Sequence, residues 1–314
     1  MNTKTNTSKK KFQDPYNTLS GDERAYVDFE SLKTLWVNTG TLCNIECINC
    51  YIESGPRNDR LMYIKASELS PFLNEIEQDL LGTSEIGFTG GEPFMNRDII
   101  PMLRDVLSRD FKALVLTNAM RPMQNRKKEL LALKNRFGDK LKIRVSVDHY
   151  MPEKHEQERG KGSWGVMIEG LKFLSNEGFN VDVAGRTPWQ ENEEDIRSGY
   201  CELFTENKIS INAFDPVALT LFPEMDENID VPEITTACWD ILGVSPKNMM
   251  CANSRMLVKR KHEKKPVLTA CTLVPYDKEF EMGNTIGDSL KAVWLNHPHC
   301  AAFCVLGGGA CSAS

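Results

Sequence analysis

Leu35-Trp-Val-Asn-Thr-Gly-Thr-Leu-Cys43-Asn-Ile-Glu-Cys47-Ile-Asn-Cys50 joins a short apolar run to a polar loop with three cysteines, and Ile86-Gly-Phe-Thr-Gly90-Gly91-Glu92-Pro93 repeats the run-then-loop pattern about fifty residues later. Each apolar run is too short for a helix and rich in β-formers, so each reads as a buried strand opening into a loop. Working outward, strands are expected at 35–38, 86–89, 113–117, 143–147, 181–184 and 209–212, with amphipathic helices at 67–81, 98–109, 125–137, 163–177 and 193–206. Strands that alternate with helices imply parallel pairing through right-handed crossovers, here a partial (β/α)6 TIM-like barrel. In such a fold ligands gather at the strand C-terminal ends. Thr39, Gly90, Gly91, Glu92, Asn118, Asp148 and Arg186 all fall there.

After about Phe222 the rhythm changes. A strand pair at 256–259 and 267–269 flanks a basic turn (Lys259, Arg260, Lys261, Lys264 and Lys265, read as a solvated tip), and a helix is expected at 289–295. The expected division is an N-terminal tail at 1–34, the barrel at 35–222 and a cysteine-rich domain at 223–314. The basic start of the chain has no apolar segment behind it and reads as a disordered tail of a cytoplasmic protein rather than a secretory signal. No apolar run is long enough to span a bilayer, and a net charge of −6 attracts no phosphate backbone, so neither membrane nor nucleic acid is the expected partner.

Ten cysteines in such a chain point to metal or redox chemistry rather than disulfides. Cys43, Cys47 and Cys50 lie on one loop, so their thiolates can hold three corners of a cubane iron-sulfur cluster and leave one iron open. Zinc wants four ligands, and no fourth Cys or His follows at the usual spacing. Gly90 and Gly91 let backbone approach a ligand closely, and Glu92 offers a carboxylate to an ammonium group.

From about Trp36 to Pro216 this pattern resembles the radical S-adenosylmethionine (SAM) superfamily, and the C-terminus resembles its SPASM/twitch subgroup. The resemblance implies that Cys43, Cys47 and Cys50 ligate a [4Fe-4S] cluster whose open iron takes SAM, which is cleaved to a 5′-deoxyadenosyl radical after one-electron reduction by a donor such as flavodoxin or ferredoxin. It further implies that Tyr51 touches adenine and that Gly90, Gly91 and Glu92 meet the SAM amino group. Asn118 stands at the family's ThrAsn position, and Ser146 and Arg159 would bind the carboxylate and ribose region. One departure is Asn49, where the family usually carries an aromatic residue. Arg186 reads equally as a SAM contact or an ion pair, His149 and His155 as loop residues, and Trp164 and Trp189 as packing.

Cys251 and Cys271 would stand at the two ends of one hairpin, with Cys300 and Cys304 close by. Four thiolates so placed close an auxiliary [4Fe-4S] site, with Cys311 competing for one place. His297 and His299 offer an alternative iron or zinc set, Cys201 reads as a small core residue, and Cys238 is unassigned. Peptide-modifying family members often carry an extra N-terminal domain of roughly 80 residues, too large for the stretch before the first strand here. The expected substrate is therefore a small biosynthetic metabolite, with a peptide or protein second and a non-catalytic iron-sulfur or zinc protein third.

Overall fold

The computed structural model describes residues 10–223 and 230–308. In chain order the elements are β1 (Tyr26–Val27), β2 (Thr34–Asn38), α1 (Ala66–Gln78), β3 (Glu85–Thr89), α2 (Ile99–Ser108), β4 (Lys112–Thr117), α3 (Arg121–Gln124), α4 (Lys127–Phe137), β5 (Leu141–Ser146), α5 (Pro152–Arg159), α6 (Ser163–Asn176), β6 (Asn180–Arg186), α7 (Glu193–Glu206) and β7 (Leu219–Phe222). There follow α8 (Cys238–Leu242), α9 (Met250–Asn253), β8 (Ser254–Val258), β9 (Val267–Thr269), β10 (Glu281–Gly283) and β11 (Val293–Trp294). One sheet runs β10-β9-β8-β2-β3-β4-β5-β6-β7, parallel from β8 to β7 and antiparallel at β9 and β10. It is the partial barrel expected, with β8 added in parallel beside β2 across the boundary expected at 222.

Period-2 alternation sorts the side chains. Leu35 and Val37 of β2 and Ala113 and Val115 of β4 join the large core shared with the helices, while Trp36, Leu114, Met256 and Val258 form a separate apolar group on the other sheet face. The indole needs room. Gly87 lies opposite Trp36, and a Cβ there would come within 2.4 Å of the ring. On the helix side, α1 buries Leu69, Phe72, Leu73 and Ile76, the i, i+3, i+4, i+7 stripe of an amphipathic helix.

Three expectations change. Residues 209–212 are not a strand, and the parallel strand that follows β6 is β7. Lys208 takes φ +56°, Lys208 N–H reaches Thr205 O and Ile209 N–H reaches Phe204 O, which is a left-handed helix stop in which apolar Ile209 seals the end of α7. The segment 289–295 holds β11 instead of a helix. Val293 and Trp294 pair with Val27 and Tyr26, and Tyr16 and Tyr26 flank the Trp294 ring at 5.0 and 4.9 Å. Cys201, on α7, is exposed rather than a core residue, because the buried stripe of that helix is Ile196, Tyr200, Leu203 and Phe204.

Residues 10–34, expected within the tail, lie against the C-terminal segment. Arg24 is fully buried and reaches Glu233 at 2.5 Å, Ala25 N–H bonds Ile234 O, and Leu295 N–H bonds Ala25 O. The basic turn is only partly solvated. Lys259 pairs with Glu68, Arg260 with Glu281 and Lys261 with Asp59, while 262–265 are exposed.

Candidate functional site

The loop after β2 is stitched to the end of β3. Thr39 N–H and hydroxyl both donate to Thr89 O, Gly91 N–H to Gly40 O (2.8 Å) and Glu92 N–H to Leu42 O (3.2 Å). The two glycines are needed for this approach: a Cβ on Gly90 would lie 2.5 Å from Gly40 O, and one on Gly91 2.2 Å from Leu42 O. They therefore serve contact between two loops as well as lining a cavity.

That cavity encloses about 1170 Å³ including its open mouth, and it lies at the strand C-terminal ends. Cys43, Cys47, Cys50, Tyr51, Gly90, Gly91, Asn118, Ser146, Arg159 and Arg186 all line it, so ten of the barrel positions singled out in the sequence converge on one space. Burial pushes the Cys43 thiol up to about 12, with Glu92 and the other two thiols adding to the effect, and burial also raises Cys47 against the pull of Arg159. Cys43 and Cys47 resist ionising alone, yet with Cys50 they face one space, and iron there would supply the compensating positive charge. Asn118 steadies the set, donating to Asn44 Oδ1 at 2.9 Å with Cys43 Sγ at 3.8 Å.

Glu92 is placed differently from its expected role toward an amino group. It is 1% exposed and does not line the cavity. Its carboxylate accepts from Thr117 Oγ1, Asn118 N and Phe94 N, which ties the ends of β3 and β4 together. Burial outweighs these bonds and raises its pKa to about 7.

The cationic side of the cavity is built from α5 and the ends of β5 and β6. Arg159 grips Asp148 through two bonds of 2.8 and 2.9 Å. Burial opposes the charge of Asp148, but the Arg159 guanidinium holds the carboxyl below its usual range. Arg186 Nη1 donates to Glu158 Oε2 at 2.9 Å, so the ion-pair reading of Arg186 and its place on the cavity wall hold together. Glu158 also accepts from Asn49 Nδ2 at 3.2 and 3.3 Å, and its carbonyl takes Ile48 N–H. Asn49, the departure from the family pattern, thus links the cysteine loop to α5. Glu158 escaped the sequence reading, as did Arg144, which lines the cavity and reaches Asp182 at 3.3 Å. Arg144 was findable: it stands two residues before Ser146 and so shares its face of β5.

His149 is buried, with Nδ1 accepting from Met151 N–H and Nε2 2.8 Å from Glu191. His155 packs edge-on against Trp164 at 5.3 Å, and Trp189 against His149 at 4.8 Å. None of these four lines the cavity.

A second cavity, of about 410 Å³, lies in the C-terminal segment. It gathers Cys251 from α9, Cys271 just after β9, and Cys300 and Cys304 from the helical turn Cys300–Val305, with His299 beside them. Antiparallel pairing of β8 with β9 brings Cys251 and Cys271 to the same end of the hairpin. Burial pushes Cys251 up to about 11, and burial together with Cys271 and Cys251 raises Cys300. Cys251 is buried and the other three are half-buried, and four thiols around one space match in number the ligands that a [4Fe-4S] cluster takes. Cys238 and His297 do not line this cavity, and Cys311 lies outside the described residues. Leu273 lines both cavities; with Met250 and Phe303 it forms an apolar wall that has Tyr51 packed against it as well as Cys271 and Cys304.

Residues 37–197, half of the chain, match the radical SAM superfamily model. Among curated proteins, the antilisterial bacteriocin subtilosin biosynthesis protein AlbA of Bacillus subtilis is 32% identical over 143 residues, 45% of this chain and 30% of AlbA. Mycofactocin maturase MftC of Mycolicibacterium smegmatis is 27% identical over 137 residues, 44% of this chain and 33% of MftC. The match thus spans about a third of the length of these relatives. Streptococcus suis SuiB bound to S-adenosylmethionine superposes with a TM-score of 0.59 at 12% identity, over 81% of this chain and 63% of that one, which is a likeness of fold. The chain therefore belongs to the radical SAM superfamily, whose members work with S-adenosylmethionine and a [4Fe-4S] cluster.

Proposed function

We propose that the chain modifies a peptide or protein substrate, with Cys43, Cys47 and Cys50 holding the [4Fe-4S] cluster at which SAM is cleaved. When bound and reduced, that cluster supplies the electron that turns SAM into methionine and a 5′-deoxyadenosyl radical able to take a hydrogen atom from substrate. The chain's own groups do the holding. Backbone at Gly90 and Gly91 meets the methionine end, and Ser146, Arg159 and Arg186 offer a hydroxyl and guanidinium groups to the carboxylate and ribose, with Tyr51 at the adenine. Leu273, Phe222 and Phe303 wall the space with apolar surface that keeps water from a radical. A flavodoxin or ferredoxin in a reducing cytoplasm is the electron source in this reading.

The observation that carries the choice of substrate is β7. It ends the sheet, its outer edge pairs with no described strand, and its last residue, Phe222, lines the cavity. An extended peptide can add to such an edge and run into the mouth beside it. The names of AlbA and MftC, a bacteriocin biosynthesis protein and a maturase, support the same reading. This reading puts the peptide ahead of the small metabolite expected first from sequence.

The test is anaerobic turnover with SAM, dithionite and the peptide encoded by a short reading frame beside the gene. The expected result is 5′-deoxyadenosine production raised by the peptide, together with a mass change in it. A peptide that returns with unchanged mass, while a low-molecular-weight fraction of cell extract stimulates the same cleavage, would assign a small metabolite instead.

A further inference from the structure

Arg255 is fully buried in β8, and all its hydrogen bonds go to neutral backbone acceptors. Nε donates to Ser289 O at 2.8 Å, Nη1 to Cys251 O at 2.5 Å and Ser254 O at 2.7 Å, and Nη2 to Lys291 O at 2.8 Å. The guanidinium carbon stands 4.8 Å from the Phe29 ring, another neutral neighbour. Among the described residues no carboxylate pairs with it. The other two deeply buried arginines are treated differently, since Arg24 has Glu233 at 2.5 Å and Arg144 has Asp182 at 3.3 Å.

A guanidinium without a counter-ion is costly to bury, because carbonyl dipoles solvate the charge but do not cancel it. The ionisable groups whose charge reaches Arg255 are the thiols of Cys251 and Cys271, two of the four that line the second cavity. Four thiolates around a [4Fe-4S] core carry net negative charge, and reduction adds one more.

We propose that Arg255 is the counter-charge of an auxiliary [4Fe-4S] cluster held by Cys251, Cys271, Cys300 and Cys304, and that it raises the reduction potential of that cluster. The proposal rests on reading the second cavity as a cluster site. A fixed positive charge favours the more negative, reduced state, and the dry surroundings of Arg255 leave its field little screened. Its hydrogen bonds to Cys251 O and Ser254 O also fix the backbone at the first ligand, so Arg255 acts on the cluster through both charge and position.

The test uses the anaerobically reconstituted full chain and its Arg255→Gln and Arg255→Lys variants, with iron counted and each cluster titrated by electron paramagnetic resonance. The auxiliary signal is the one that added SAM leaves unchanged. In Arg255→Gln the expected result is an iron content equal to the parent's and an auxiliary midpoint that falls by at least about 59 mV, a tenfold change for one electron. Arg255→Lys keeps the charge and stays with the parent. An unmoved midpoint in a fully loaded Arg255→Gln protein overturns the proposal. Should that variant fail to load iron, Arg255→Lys decides: a midpoint held at the parent value supports the counter-charge, and one that falls overturns it. A parent protein that binds only about four irons shows instead that the cluster reading has failed, and the proposal goes with it.

Discussion

His155 shows how a polar residue inside a motif can be structural. Its ring is fully buried against Trp164, and neither nitrogen has a hydrogen-bond partner. Burial, helped by the positive charge of Arg159, pushes its pKa down to about 3. The unfolded chain takes up a proton near the ordinary value of about 6.5, whereas the folded chain refuses it until about pH 3. The stabilisation is therefore complete above the unfolded value and is lost as pH falls through the window between the two. Between pH 6.5 and 5 the loss should be about 2 kcal/mol, measured as the fall in urea unfolding free energy. His155→Phe keeps the ring contact and should remove most of that slope. An equal slope in both proteins would show that His155 is protonated when folded. At this scale the sequence told most about the thiols and glycines, whose chemistry is local. It told least about Glu158 and Glu92, whose roles depend on partners such as Asn49, 109 residues away, and Thr117, 25 residues away.

At the scale of elements, loop-to-loop contact decides whether the cysteine loop keeps its shape. Gly91→Ala sets a Cβ 2.2 Å from Leu42 O, a clash with backbone that cannot rotate away. The expected cost is about 1–3 kcal/mol in urea unfolding, with iron loading at Cys43, Cys47 and Cys50 reduced in parallel. Gly165→Ala is the contrast, since nothing lies within 4 Å of its Cβ and it sits inside α6. It should gain about 1 kcal/mol and leave iron unchanged. Gly91→Ala protein with parental stability and iron would mean that the two loops separate freely. The five helices from 67 to 206 were legible because each carries its apolar stripe in its own sequence. The strand expected at 209–212 was misplaced because a helix stop and a short strand use the same apolar residue, and the carbonyl of Phe204 tells them apart.

For the whole molecule, two cysteine sites share one apolar wall around Leu273, and each should load independently. Reconstituted protein should bind about eight irons. Replacing Cys43, Cys47 and Cys50 by alanine should leave about four and abolish 5′-deoxyadenosine formation, whereas replacing Cys251, Cys271, Cys300 and Cys304 should leave about four with SAM binding retained. Iron counting and SAM titration check both sets. Loss of all iron from the second set would show that the first site depends on the other cluster. Among the described residues no helix is long and apolar enough to cross a membrane.

The sequence by itself determined the parallel barrel, the cysteine triad and the run of thiols near the C-terminus, because periodicity, loop position and ligand spacing are written in neighbouring residues. Tertiary structure decided that β8 extends the barrel sheet, that β1 and β11 pair across 266 residues, and that Cys251, Cys271, Cys300 and Cys304 close on one cavity beside Arg255. The reason is physical. Strand pairing and the cancelling of a buried charge each need a partner from elsewhere in the chain, and only folding brings that partner within reach.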